Sequence, residues 1–171
     1  LEAATSCPFA RNVTSWCLVG MGWGGRAAVS VAHRCRSPIA GVVLMGYPLK
    51  EPMGSGQIVS KVASDSSGPL LKLNPVQPVF PILFVQPDND PLCSAEALRE
   101  LAPNLPASTF VHMVEVQNAD AVFRDPTTHA SPTPAMRARL TELLLQYVTA
   151  LSAGSLESCP GLTLLKQPTA E

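Results

Sequence analysis

Apolar and polar positions alternate along the chain in segments of strand and helix length. Residues 16–19, Trp-Cys-Leu-Val, form a short β-prone run halted by Gly20. Residues 26–33, "RAAVSVAH", are small, alanine-rich and helix-sized. Residues 39–45, "IAGVVLM", are a continuous run of branched apolar side chains, the pattern of a strand covered on both faces. "ILFV" at 82–85 repeats that pattern. Between the two lies a Pro/Gly/Ser-rich excursion over 48–80, with one helical turn expected near 58–62. Residues 94–101 read as a helix, with Ser94 placed as N-cap and Glu96 in the first turn. "TFVHMVEV" at 109–116 reads as a strand. Residues 135–151 follow as an amphipathic helix with Leu140, Leu143, Leu144, Tyr147 and Val148 on one side.

Strands alternating with helices predict an α/β fold, a parallel sheet with flanking helices. Four strands and three helices fall within 16–151, preceded by a lead-in over 1–15 and followed by a tail or linker over 152–171 that shows no period. A length of 171 residues suits one domain or most of one, and 46% hydrophobic residues supply a core. The net charge of −1 creates no global field toward nucleic acid or an anionic membrane, and no apolar run approaches a bilayer span. Proline is the compositional outlier: 17 residues, about twice average usage. Six of them (Pro48, Pro52, Pro69, Pro75, Pro78, Pro81) argue against a long helix or interior strand over 48–80. The five cysteines are scattered without a C-x-x-C pair, so no zinc site or other cofactor is expected, and a reducing, intracellular compartment (nucleus or cytoplasm) is. No basic-then-apolar leader is visible, and an opening on Leu1 suggests a processed product or part of a longer polypeptide.

In a parallel sheet, chemistry gathers at the carboxyl ends of the strands. "WCLVGMGWGG" permits two readings. Gly20, Gly22 and Gly25 fit a dinucleotide-binding spacing, but the next strand ends "LMGYPL", without the expected acidic residue. Gly20-Met21-Gly22-Trp23-Gly24 also fits the G-x-S-x-G nucleophile elbow, with Gly22 where the serine belongs, expected at φ above zero in a strand-to-helix turn, and Trp23 opening the helix and supplying the oxyanion-type backbone N–H. "PILFVQPDNDPLCS" resembles the segment in which α/β-hydrolases carry the acid of the triad, which implies that role for Asp90; it reads equally as a turn opener before Pro91. By the same resemblance, "NADA" at 118–121 leaves Ala121 where the general-base histidine is expected.

Residues 16–151, about four fifths of the chain, resemble the C-terminal half of an α/β-hydrolase. Within that superfamily they resemble the branch shared by the third subunit of the non-specific-lethal histone acetyltransferase complex and its testis-expressed relative. The resemblance rests on "GMGWGGRAAVSVA", "IAGVVLMGYPL", "PILFVQPDNDPLCSAEALREL" and "VEVQNADAVF". It implies a degenerate triad at Gly22, Asp90 and Ala121. It also implies a catalytically inactive scaffold or interaction subunit, in a chromatin-modifying complex. The strand at 16–19 would then be an edge, with the earlier half of the fold lying before Leu1. That edge, from Trp16 to Val19, requires cover by that half or by a protein partner.

Two other functions remain open. A divergent serine or cysteine hydrolase acting on esters or acyl groups would recruit Cys93 or His129. A ligand-binding pseudoenzyme would use the space left by the serine, lined by Met21 and by Trp23, which could equally pack in the core. His33 and His112 are expected to be structural, and Arg137 and Arg139 to lie on the wet face of the last helix.

Overall fold

The computed structural model describes residues 6–35, 37–50, 70, 80–105, 110–159 and 161–166. Its centre is a five-stranded sheet in the order β1-β2-β3-β4-β5. The strands are β1 (Trp16–Met21), β2 (Ile39–Met45), β3 (Ile82–Asn89), β4 (Val111–Asp120) and β5 (Thr163–Lys166). β1 through β4 pair in parallel, and β5 closes the far edge antiparallel to β4. The fold is α/β with a mostly parallel sheet, as the alternation predicted.

Strand side chains alternate between two cores. Val42, Leu44, Ile82, Phe84, Val111 and Met113 face α1 (Trp23–Arg34) and α2 (Ala95–Leu101), packing on Val29, Ala32 and Leu98. Val43, Leu83, Val85 and Val114 face α3 (Pro134–Ala153), packing on Leu143, Tyr147 and Ala150. β2 and the Ile82–Val85 part of β3 are covered on both faces, which is why their sequences are unbroken apolar runs. Fully burying each large side chain in these layers contributes about 1.5–3 kcal/mol.

The helix ends follow local chemistry. The Ser94 side chain accepts a hydrogen bond from the Ala97 N–H at 3.2 Å, capping α2. The Thr133 side chain accepts one from the Met136 N–H at 3.1 Å, with Pro134 opening α3 where no N–H is needed. Gly154, at φ 66, ends that helix in the left-handed conformation.

Several expected boundaries move. α1 takes in the run at 26–33 and, as expected from the turn at Gly22, begins at Trp23. β3 and β4 run on to Asn89 and Asp120 through polar residues that carry no apolar signal. The tail reading of 152–171 is corrected within the described residues: Leu156–Ser158 forms a 3-10 turn and Thr163–Lys166 forms β5. A four-residue strand is too short to show a period. Val148, assigned to the apolar side of the last helix, is exposed instead. The excursion over 48–80 and the turn near 58–62 lie outside the described residues, apart from 48–50, Leu70 and Phe80.

Candidate functional site

Four parallel strands bring four carboxyl ends to one edge of the sheet. At the end of β1, Gly22 adopts φ 52 and ψ −124 and is the N-cap of α1. Glycine enters that region freely, whereas a side chain is held there only under strain. The Gly22 N–H donates to the Met45 carbonyl at 2.8 Å, tying the turn to the end of β2. A Cβ on Gly22 would meet nothing within 4 Å, so the space above the turn is open.

The next residue along β2, Gly46, is the point of convergence. It sits at φ 54, and a Cβ there would lie 2.8 Å from the Ala121 carbonyl oxygen and 3.7 Å from Asp90 Oδ2. Gly22, Asp90 and Ala121, from three separate segments of the sequence, therefore gather around the end of β2. The loops are stitched together: the N–H groups of Leu49 and Lys50 both donate to the Leu92 carbonyl, at 3.2 and 2.9 Å.

Asp90 is 7% exposed. Its Oδ1 accepts from the Leu92 N–H at 2.8 Å, and its Oδ2 accepts from Gln86 Nε2 at 3.0 Å. Burial pushes the Asp90 carboxyl above the usual carboxylate range and nearby Asp120 adds to this, against the lowering by its hydrogen bonds. Gln86 is fully buried, and its Nε2 also donates to the Cys93 carbonyl at 2.8 Å. Gln86 and the nearby Asp88 are residues that sequence reasoning missed. Asp88 accepts from the N–H groups of Asn118 and Ala119, at 2.9 and 3.0 Å, and so locks the end of β3 to the end of β4. The available signal was a glutamine directly following the buried run "ILFV".

Of the surrogate candidates, Cys93 lies beside Asp90 but is chemically quiet, and His129 is not hydrogen-bonded to this centre. Cys93 is fully buried; burial, with the Asp90 charge beside it, pushes its thiol up to about 12. A thiol held protonated in this way is no nucleophile at neutral pH. His129 is exposed, at φ 54, with its N–H donated to the Asp125 carbonyl at 2.9 Å. His112 lies on the α3 side of the sheet, where its Nε2 meets the Leu156 carbonyl at 3.0 Å. Trp23 is 49% exposed rather than packed in the core, and the Arg26 guanidinium carbon lies 4.8 Å from its ring centroid. Among the described residues all five cysteines are free, no acidic, cysteine or histidine cluster could hold a metal ion, and no helix is long and apolar enough to cross a membrane.

No protein-family model matches the chain, and no curated protein matches it in sequence. Solved structures do match in fold. A protein of Agrobacterium tumefaciens assigned to the α/β hydrolases superposes with TM-score 0.58 at 13% identity, over 91% of this chain and 58% of its own. Est1E from Butyrivibrio proteoclasticus gives 0.57 at 14% identity, over 89% of this chain and 66% of its own. The esterase domain of a Rhodothermus marinus protein gives 0.51 at 17% identity, over 88% of this chain and 67% of its own. The chain thus has the α/β-hydrolase fold and spans about three fifths to two thirds of these neighbours. Nothing in these comparisons links it to the acetyltransferase-complex branch.

Proposed function

We propose that this chain is a catalytically inactive α/β-hydrolase-like domain acting as a scaffold or interaction subunit. The observation that supports it is Gly22: the elbow geometry is kept, at φ 52, while the residue carries no nucleophile. Ester hydrolysis on this fold needs a nucleophile, a base and an orienting acid within hydrogen-bond reach. Asp90 accepts from Gln86 and Leu92, and among the described residues none of the three histidines is hydrogen-bonded to it. Ala121 offers no base.

An interaction role is supported by β1. Among the described residues it has a single strand neighbour, and Val19 and Met21 on it are 57% and 53% exposed. An edge strand with exposed apolar side chains invites pairing and cover. In this reading a protein partner, or the other half of the hydrolase fold, covers the edge from Trp16 to Val19. The sequence resemblance extends the proposal to a subunit of a histone acetyltransferase complex, intracellular, in the nucleus or cytoplasm, without direct contact to nucleic acid or membrane.

The test is hydrolysis of p-nitrophenyl esters by the chain and by any longer polypeptide that contains it. The expected result is no rate above background for the native protein or for Gly22→Ser. The double variant Gly22→Ser, Ala121→His rebuilds the triad with Asp90, and its hydrolysis should vanish on adding Asp90→Asn. Native hydrolysis that is lost on Asp90→Asn alone overturns the proposal.

A further inference from the structure

On the α3 face of the sheet, a second site lies between β4 and the first turns of α3. β5 pairs with β4 only over Val111–Met113. Beyond that pairing opens a cavity of about 230 Å³, walled by Val114, Val116, Met136, Leu140 and Leu143 and bordered by Arg139. Arg139 is exposed, as expected for the wet face of the last helix, and borders this hollow.

The charges around the cavity are unequal. The Glu115 carboxylate is already engaged, by the Arg99 guanidinium at 3.2 Å and by Gln117 Nε2 at 3.3 Å. Arg139 has no carboxylate partner among the described residues. A guanidinium beside an apolar hollow matches a planar carboxylate bidentately, with the ligand's apolar body in the hollow. A cavity of about 230 Å³ suits a small ligand.

We propose that this cavity binds a small monocarboxylate with a compact apolar body, its carboxylate on Arg139 and its body against Met136, Leu140 and Val116. The site is separate from Gly22, Asp90 and Ala121, and the proposal stands whether or not the chain is catalytic.

The test is titration of the ¹⁵N-labelled full chain with benzoate and hexanoate, and with benzamide as the neutral counterpart of benzoate. Saturable shifts confined to residues 114–117 and the first turns of α3 are expected. Arg139→Gln should weaken benzoate binding about tenfold or more, as loss of a charge-assisted contact does, while leaving benzamide within about twofold. Leu140→Trp should fill the cavity and abolish binding of all three. Should that core change impair folding, Arg139→Glu, on an exposed residue, should abolish carboxylate binding alone. Absence of saturable shifts, shifts centred elsewhere, or benzoate affinity indifferent to Arg139 overturns the proposal.

Discussion

Replacing Gly22 isolates backbone strain from packing, because the two are separable at this position. Gly22 sits at φ 52 and ψ −124, and a Cβ there meets nothing within 4 Å. Gly22→Ala and Gly22→Ser therefore carry no steric term, only the cost of holding a side-chain-bearing residue in a sparsely populated region, about 1–3 kcal/mol. For a domain of this size that corresponds to a fall in Tm of roughly 2–12 °C. Gly46 supplies the contrast. It has nearly the same φ, 54, but its Cβ would lie 2.8 Å from the Ala121 carbonyl oxygen, a backbone atom that no rotamer change can move. Gly46→Ala should thus cost the strain plus an overpacking term of about 1–3 kcal/mol. Thermal unfolding followed by circular dichroism, with urea titration as a check, orders the variants. Gly22→Ala and Gly22→Ser should fall together, both above Gly46→Ala. A Gly22→Ser variant as stable as the native protein, or a Gly46→Ala variant more stable than Gly22→Ala, would refute the reasoning.

Two further outcomes follow from the electrostatics of the same site. Burial raises the Asp90 carboxyl above its ordinary 3.8, so between that value and the raised one the folded state holds more protons than the unfolded state. The Asp90 contribution to stability is present at low pH and is lost as pH rises through that window. Asp90→Asn should remove this component from the pH dependence of unfolding free energy, and an unchanged profile would count against the buried-acid assignment. Cys93, with its thiol pushed up to about 12, should resist iodoacetamide in the native protein and react only after denaturation. Peptide mass spectrometry reads this directly, and rapid stoichiometric labelling of native Cys93 would revive the cysteine-hydrolase alternative.

The sheet was legible because burial on both faces leaves a compositional trace. "IAGVVLM" became β2 with the expected bounds, and "ILFV" became the apolar first half of β3. Gly22 was legible for a local reason as well: a strand, a glycine-rich turn and an alanine-rich stretch are adjacent in sequence, so φ above zero at the turn follows from nearest neighbours. Asp90 and Ala121 took their places from the family resemblance, but their meeting at Gly46 is a contact between three distant segments. The same holds for Gln86, whose polarity marks it in sequence but whose bonds to Asp90 and the Cys93 carbonyl exist only once the loop after β3 has folded back. β5 and the cavity beside Arg139 lay beyond sequence reasoning altogether. A four-residue strand completes no period, and a cavity belongs to the gap between elements. Local preferences set what each segment becomes; the long-range packing of β4, β5 and α3 decides what stands beside what, and the chemistry of both sites depends on that second choice.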